Sequence, residues 1–444
     1  MRKGIVRAGV VLAGLLLLIA SLVYLSASPA LAGSGMVGSE GSQAFAPALG
    51  DESQLRARPR TNTPTRTPTR TPTRTPTRTP TPMNTPTHTP TNTPIPSCGL
   101  AWRNVSSPGP ASALHGIEVV SANDIWAVGI NYTTSLARML IEHWDGTKWS
   151  IVPSPNVGTD VAYLFEVSAV SANDIWAIGT RNNGTLAIHW DGTQWSIVAT
   201  PNPGTNENYV LDVEAVSAND VWAVGYFRSG PPYQPFTIHW DGTSWSQVPS
   251  SNPGMFSSLL TSVDAISAND IWAVGYTMAT QGGPSHTLTM HWNGSNWSVV
   301  PSPQFNQLYS VSAVSSNDVW AVGSTGIYQI VVHWNGSSWS EVPSPDMGGD
   351  EIYLNDVVAI SSNDAWAVGY FLSYPHVDYM PLIFHWDGTQ WSVVESEPSG
   401  TSPNFLNSVA AVSATDVWAT GYNYNGPLIL RYSDPCELPA GAKR

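Results

Sequence analysis

Ser121-Ala122-Asn123-Asp124-Ile125-Trp126-Ala127-Val128-Gly129 is the stretch that decides the fold, because close copies of it recur along the chain. Six steps separate its first tryptophan from the last, Trp418, so the mean period is about 49 residues. Periods of about 40 to 50 residues with several short strands in each unit are typical of closed rings of β-sheets. The tryptophans of this first series are Trp126, Trp176, Trp222, Trp272, Trp320, Trp366 and Trp418.

Each repeated unit is predicted to contain four strands. The innermost alternates apolar and polar residues, as in 211–216, and a tight Ser-Ala-Asn-Asp turn leads to the second strand at 125–129. The third strand, as in 139–144, ends in Asp-Gly or Asn-Gly, which is the strongest short hairpin signal. The fourth, 149–152, stops at Pro153, and a proline without an N–H suits an edge strand.

The two ends of the repeated region predict a closed ring. The seventh unit stops after 428–432 without a fourth strand, and a segment resembling that strand occurs before the first unit, at 102–108. An open solenoid would instead need atypical capping repeats at both ends. We therefore predict an all-β fold, a seven-bladed β-propeller of four-stranded blades in which the N-terminal strand completes the last blade.

The remaining tryptophans and the two cysteines mark the same seam. Cys98 lies four residues before Trp102, and Cys436 lies four residues after Tyr432, which fills the one repeat position without tryptophan. Both cysteines therefore fall where the hairpin of the last blade is interrupted, and we predict a Cys98–Cys436 disulfide; the alternative is two free thiols. The other two tryptophan series are Trp144, Trp190, Trp240, Trp292, Trp334 and Trp386, and Trp149, Trp195, Trp245, Trp297, Trp339 and Trp391 with Trp102.

The repeat pattern resembles that of the kelch family of galactose-oxidase-type propellers. The shared pattern is Ile-Trp-Ala-Val-Gly, a loop, then His-Trp-Asp-Gly-Thr-x-Trp-Ser-x-Val-Pro, and it covers about 102–432. The chain departs from kelch in having one glycine, such as Gly129, Gly179 or Gly225, where kelch repeats usually have two. The hairpins also resemble Asp-box hairpins and the repeats of some seven-bladed bacterial lectins. These resemblances imply a fold, since propellers host many unrelated functions.

The chain outside the repeats is expected to direct the propeller out of the cell. Residues 1–32 combine basic residues, an apolar run and a small-residue cleavage site, as a signal peptide does, although an uncleaved anchor is the alternative. A polar segment without structure is predicted at 33–60 and a Thr/Pro-rich spacer at 61–97. The propeller should span 98–436, followed by a tail at 437–444. We expect a secreted or cell-surface protein, without membrane insertion after cleavage, that is a monomer.

The charge balance restricts the partners. Ten of the eighteen Lys and Arg residues precede residue 98, which leaves eight against 29 Asp and Glu, a balance of −21. Such an acidic domain repels phosphates, so nucleic acid is an unlikely partner class. We expect no cofactor, with Ca²⁺ as the open alternative, because acidic residues of the innermost strands could line a central channel. These are Glu118, Glu166, Asp212, Glu214, Asp264 and Asp356.

The repeated histidines and turn aspartates are interpreted as framework. One His per blade places equivalent atoms too far apart to share a metal ion, so a hydrogen-bonded structural role is expected for each. The histidines are His143, His189, His239, His291, His333 and His385, and the aspartates are Asp124, Asp174, Asp220, Asp270, Asp318, Asp364 and Asp416.

Function is expected where the blades differ, in the aromatic connections at one end of the ring. Variable loops on a rigid scaffold are the usual carriers of binding, and tyrosine offers both an apolar face and a polar tip. The predicted binding residues are Tyr226, Phe227, Tyr233, Tyr276, Tyr370, Phe371, Tyr374, Tyr379 and Tyr422, for which packing over the blades is the alternative role.

The sequence thus predicts an extracellular module that binds a glycan or a protein. An extracellular carbohydrate-active hydrolase or lyase with its site at the channel mouth is the alternative. Catalysis is the less favoured reading, because the sequence nominates no catalytic residue: its five propeller arginines are scattered, and its acidic residues are too many to single out a pair.

Overall fold

The computed structural model describes residues 99–109, 112–133, 136–254, 256–348, 351–373, 378–397, 403–434 and 436. The expected signal peptide (1–32), polar segment (33–60), spacer (61–97), Cys98 and the tail (437–444) lie outside these residues, so the disulfide stays a prediction. Within the described residues, no helix is long and apolar enough to span a membrane.

The described chain forms seven four-stranded antiparallel sheets, which confirms the predicted seven-bladed propeller. Blades 1 to 6 each take four consecutive strands, β2–β5 through β22–β25, and blade 7 combines β26–β28 with β1. The strands are β1 (Ala101–Asn104), β2 (Ser112–Ser121), β3 (Asp124–Asn131), β4 (Arg138–Trp144), β5 (Trp149–Ile151), β6 (Ala162–Ser171), β7 (Asp174–Arg181), β8 (Gly184–Trp190), β9 (Trp195–Val198), β10 (Glu207–Ser217), β11 (Asp220–Arg228), β12 (Gln234–Trp240), β13 (Trp245–Val248), β14 (Ser257–Ser267), β15 (Asp270–Met278), β16 (Ser285–Trp292), β17 (Trp297–Val299), β18 (Gln307–Ser315), β19 (Asp318–Ser324), β20 (Gln329–Trp334), β21 (Trp339–Glu341), β22 (Ile352–Ser361), β23 (Asp364–Ser373), β24 (Asp378–Trp386), β25 (Trp391–Val393), β26 (Asn404–Ser413), β27 (Asp416–Asn423) and β28 (Gly426–Ser433).

A β-bulge in every innermost strand explains the single glycine of each repeat. In blade 2 the register of β6 against β7 shifts between Leu164 and Glu166, directly opposite Gly179. A Cβ atom on Gly179 would overlap the carbonyl oxygen of Tyr163. The bulge brings the two backbones together there, so only glycine fits.

Aromatic triads join each blade to the next. Trp126 of blade 1 packs against two tryptophans of blade 2, with ring centroids 5.1 Å from Trp190 and 5.6 Å from Trp195, the latter edge-on. The same triad recurs at the other interfaces. Blade 7 meets blade 1 through Trp418, whose centroid lies 5.1 Å from that of Trp144. All twenty tryptophans and Tyr432 therefore lie at seven equivalent interfaces between blades, and the ring is closed.

The N-terminal strand completes blade 7, as predicted. β1 pairs with β28 in the register Trp102↔Tyr432, and the Trp102 side chain is fully buried, 5.4 Å edge-on from Trp366 of blade 6. The Trp102 carbonyl accepts the N–H of Glu397 at 3.2 Å, which joins β1 to blade 6 as well. One short strand thus contacts the outer edges of two blades.

The predicted His–Asp pairs are present in all six blades that carry the histidine. Each histidine Nε2 lies 2.7–2.9 Å from an oxygen of the aspartate that opens the second strand, as in His143 and Asp124. In blade 7, Arg431 replaces the histidine and holds both oxygens of Asp416, at 2.7 and 2.8 Å. These residues are framework, as the sequence indicated.

One residue breaks the repeat inside the core. Glu142 pairs with Ala127 in β4, where the next blades place Ile188 and Ile238 opposite the equivalent alanine, and it is fully buried. Its two carboxylate oxygens accept the Ser107 hydroxyl at 2.8 and 3.0 Å. Burial raises its pKa to about 7, while hydrogen bonds from Ser107 and the Gly109 N–H oppose that rise. Glu142 therefore ties blade 1 to the segment that follows β1.

Candidate functional site

The two ends of the ring differ in how much they vary. One end carries the uniform first-to-second and third-to-fourth turns, in which aspartate or asparagine side chains accept backbone N–H groups, as Asp145 does from Thr147 at 2.8 Å. The other end, the loop end, carries the fourth-to-first and second-to-third connections. Variation between the blades is concentrated at the loop end, as the sequence suggested.

The structure corrects the position of most of the predicted binding residues. Tyr226, Phe227, Tyr276, Tyr370, Phe371 and Tyr422 lie in second strands and Tyr379 in a third strand, so they are not loop residues. Tyr226, Tyr276 and Tyr370 are buried, because these strands extend further toward the loop end than the turn signals implied. Tyr233 and Phe227 are half-buried, and Tyr374 lies outside the described residues.

In blade 3 the loop-end tyrosines form a compact group. Tyr209 of β10 pairs across the sheet with Tyr226 of β11, with centroids 5.2 Å apart, and Tyr233 packs edge-on against Tyr226 at 5.2 Å. Arg228 lies with its guanidinium 4.9 Å from the centroid of Tyr233 and 2.5 Å from Glu207. The chain's own arginine thus covers this group.

A longer aromatic row crosses blades 5 to 7. Centroid distances between neighbouring rings run from 4.8 to 6.5 Å, so the contact is continuous across two blade interfaces. Burial raises the pKa of Tyr353 to about 12 and raises that of Tyr370, so these phenols stay neutral. We call this set the aromatic row: Tyr309, Tyr353, Tyr370, Tyr379, Phe405 and Tyr422.

Exposed apolar side chains accompany the aromatic row. Tyr328 is 60% exposed and Ile327 is 52% exposed in the second-to-third turn of blade 5, and Tyr424 is 79% exposed in that of blade 7. Met380 of blade 6, beside Tyr379, is also exposed. Sequence reasoning missed these four residues, here called the tip residues, although the short turns around Gly326 and Gly426 were visible signals.

The charges at the loop end divide between the two halves of the ring. In blades 2 and 3, arginines neutralise the carboxylates, with Arg181 2.6 Å from Asp160 and Arg228 paired to Glu207. From Ser229 to Leu430 the sequence contains fifteen Asp and Glu residues and neither Lys nor Arg. Blades 5 and 6, which carry four of the six residues of the aromatic row and three of the four tip residues, therefore contain neither Lys nor Arg.

The channel along the ring axis is lined by carboxylates, as predicted. Its volume is about 320 Å³, and all six acidic residues named from the sequence line it, together with serines of the same strands. Burial raises the pKa of Glu118 to about 8, that of Asp212 to about 7 and that of Asp264 to about 6. A fraction of these groups is therefore protonated at neutral pH.

These carboxylates join neighbouring innermost strands, which do not pair with one another. Asp212 accepts the Val263 N–H of the next blade at 2.8 Å, and Asp264 likewise accepts the N–H of Ala313 at 2.6 Å. Asp356 accepts the Val409 N–H at 2.8 Å and the Ser310 hydroxyl at 2.6 Å. The three N–H groups lie next to register shifts of their innermost strands, where the regular ladder is interrupted.

A Ca²⁺ site in the channel is the alternative that the sequence left open. Among the described residues, no group of three or more His, Cys, Asp or Glu side chains is arranged to hold a metal ion. The Ca²⁺ site considered from the sequence therefore finds no ligand set in this part of the chain. The channel carboxylates join neighbouring blades through hydrogen bonds, and the loop end is the candidate functional surface.

No protein-family model and no curated protein matches the chain. Solved structures do resemble it: YCF48 bound to D1 peptide has 14% identity and a TM-score of 0.50, and the match covers 75% of this chain and 96% of that one. YCF48 from Cyanidioschyzon merolae has 16% identity, a TM-score of 0.51 and coverage of 75% and 98%. The WD40 propeller domain of Doa1 has 11% identity, a TM-score of 0.50 and coverage of 75% and 97%. These neighbours do not confirm the kelch type. At such identities the likeness shows the fold alone, a seven-bladed β-propeller.

Proposed function

We propose that this propeller is an extracellular interaction module that binds a protein at the loop end of blades 5 to 7. The single observation that carries the proposal is the concentration of the exposed tip residues Ile327, Tyr328, Met380 and Tyr424 in three consecutive blades. Exposed apolar groups clustered on a rigid surface mark interaction sites in soluble proteins.

The composition of this surface favours a protein partner over a glycan. An aliphatic isoleucine and a flexible methionine suit apolar side chains of a partner, and Met is common at surfaces that bind proteins. Tyrosine adds a large contact area at a small entropic cost. A structurally similar propeller, YCF48, is bound to a D1 peptide, which supports peptide recognition as a use of this fold.

Five further properties of the protein are proposed from the sequence alone. They are export by residues 1–32, display on the Thr/Pro-rich spacer, a monomeric state, the kelch-like character of the repeats and the Cys98–Cys436 disulfide. A carbohydrate-active hydrolase or lyase remains the alternative function, and turnover on a polysaccharide panel that is lost on substitution of a channel carboxylate would establish it.

The test compares variants of the tip residues with variants of exposed apolar residues elsewhere on the propeller. Partners would be captured on the immobilised full chain from the medium of the producing organism and identified by mass spectrometry, with a glycan array in parallel. Tyr328→Ser together with Tyr424→Ser should weaken capture about tenfold or more, since central aromatic anchors dominate interface energy. The control is Ile151→Ser with Val299→Ser, two exposed outer-strand residues.

Three results would contradict the proposal. They are equal losses in the tip and control variants, capture that is unchanged by the tip substitutions, and binding confined to the glycan array.

A further inference from the structure

The third-to-fourth turns of blades 1 to 6 share one shape but differ in one residue. Blades 1, 2, 3 and 6 begin this turn with Asp-Gly, whereas blades 4 and 5 begin it with Asn-Gly, at Asn293 and Asn335. In all six turns the side-chain Oδ1 accepts the N–H groups two and three residues later. The two asparagines therefore occupy a place that the fold fills with aspartate in four other blades.

The aspartate form of the turn has the shorter hydrogen bonds. Asp145 accepts its two N–H groups at 2.8 and 2.9 Å, whereas Asn335 accepts the equivalent groups at 3.0 Å each. A charged acceptor shortens and strengthens such bonds. Hydrogen bonding from Thr147 lowers the pKa of Asp145 to about 2, so aspartate in this turn is ionised at neutral pH.

The four Asn-Gly pairs of the chain differ in where their glycine lies. Gly184 and Gly426 belong to the β-ladders of blades 2 and 7, where strand pairing fixes the glycine backbone. Gly294 and Gly336 lie in the third-to-fourth turns, and within the described part of the chain the N–H of neither donates a hydrogen bond. The glycine nitrogens of blades 4 and 5 are thus the ones open to solvent base.

An asparagine followed by glycine loses its side-chain amide when the glycine nitrogen attacks Cγ. The glycine N–H gives up its proton to solvent base, the nitrogen bonds to Cγ, and ammonia leaves, which forms a five-membered succinimide. Water then opens this ring to aspartate or to isoaspartate, so the net reaction is hydrolysis of the amide. Glycine permits the attack because it has no Cβ in the way.

The turn also supplies hydrogen-bond donors to the oxygen on which charge develops. As Cγ becomes tetrahedral, negative charge grows on Oδ1, and the N–H groups of Ser337 and Ser338 already donate to Asn335 Oδ1 at 3.0 Å. The Ser337 hydroxyl is a third donor at 2.7 Å. At Asn293 the described structure has the two N–H donors alone. Donors placed in advance at a developing oxyanion lower the barrier to attack on a carbonyl.

We propose that Asn293 and Asn335 are modification sites, at which the folded propeller deamidates and acquires the Asp-Gly turn of blades 1, 2, 3 and 6. Water is the sole co-reactant. Each conversion adds one negative charge at the end of the ring opposite the loop end, so the modification does not depend on the proposed binding surface. The ionised product is not attacked again by the glycine nitrogen, because a carboxylate is a poor electrophile.

The test is peptide mapping by mass spectrometry of the folded full chain, incubated at pH 8 and sampled over time. Each conversion replaces an NH2 group with OH, which the peptide mass reports. Asn293 and Asn335 should convert about tenfold faster than Asn183 and Asn425, the asparagines whose glycines lie in β-ladders. In denaturant the four sites should convert at similar rates, because the Asn-Gly sequence is common to all.

Two kinds of variant isolate the contribution of the turn. Ser337→Ala removes the hydroxyl donor from Asn335 and keeps both N–H donors, so conversion at Asn335 should slow to the rate at Asn293, the matched internal control. Asn293→Asp and Asn335→Asp represent the products, and each should unfold thermally at or above the native midpoint because the charged acceptor strengthens the turn.

Three results would overturn the inference. They are conversion of Asn183 or Asn425 in the folded chain at least as fast as that of Asn293 and Asn335, no conversion of Asn293 and Asn335 in the folded chain over a period in which the denatured chain converts fully, and isoaspartate as the sole product at both sites.

Discussion

Replacing Glu142 with glutamine should remove a pH-dependent cost from the folding of this propeller. Glu142 is fully buried at a position that is apolar in the neighbouring blades, and its oxygens accept hydrogen bonds from Ser107 of the closing segment. Glutamine keeps the shape and an acceptor oxygen but cannot ionise. The native chain should therefore be at its most stable relative to this variant in acid.

The sign and size follow from the carboxyl pKa. It rises from 4.5 to about 7 on folding, so the folded state holds the proton more tightly than the unfolded state. The stability that the protonated Glu142 carboxyl contributes is fully present below pH 4.5 and is lost as the pH rises through 7. A shift of about 2.5 pKa units corresponds to about 3 kcal/mol. Glu142→Gln should thus gain about 3 kcal/mol relative to the native chain between pH 4.5 and pH 8.

The assay is denaturant unfolding of the native chain and the variant at a series of pH values from 4.5 to 8. The channel carboxylates with raised pKa values change the pH dependence of stability equally in the native chain and in the variant. The difference in unfolding free energy between the two proteins therefore reports on Glu142 alone. Glu341→Gln, on an exposed outer strand, is the control and should show no such trend. If the difference in unfolding free energy between the native chain and Glu142→Gln stayed constant to within about 0.5 kcal/mol from pH 4.5 to 8, the reasoning would be refuted.

Three further predictions concern the seam and the channel. Trp102→Ala should cost about 3–5 kcal/mol in denaturant unfolding, because it leaves a cavity between two blades, and a loss below about 1 kcal/mol would contradict the closure described for β1. Asp356→Ala should cost about 2 kcal/mol at pH 5 by leaving backbone N–H groups without an acceptor, whereas the exposed Asp346→Ala should change stability by less than about 0.5 kcal/mol. Intact-mass measurement before and after reduction should show one Cys98–Cys436 disulfide, and an unchanged mass would mean two thiols.

The sequence predicted the blades well because the same local physics repeats seven times. The alternation of apolar and polar residues, the Asp-Gly turns and the tryptophan positions are each set within one blade. They can therefore be recognised in any single repeat. The seam was also predictable, since Trp102 and Tyr432 are exceptions to a strict pattern. The channel carboxylates could be named because side chains of the innermost strands must face the axis.

What the sequence missed depends on contacts between distant segments. The burial of Glu142 follows from its contact with Ser107 across a seam, which no local pattern encodes. Tyr226 and Tyr370 were placed in loops because the second strand was predicted to end at the glycine of each repeat, whereas cross-strand pairing with Tyr209 and Tyr353 extends the strands.

The most direct test of the central claim, that the loop end of blades 5 to 7 binds a protein, is site-specific photo-crosslinking from positions 328, 424 and 151 of the full chain in its native medium. Tyr328 and Tyr424 are exposed at the loop end, and Ile151 is exposed on an outer strand. We predict that a cross-linker at 328 or 424 yields the same discrete protein adduct and that one at 151 yields none. The same adduct from 151, or no adduct from either tip position, would contradict the claim.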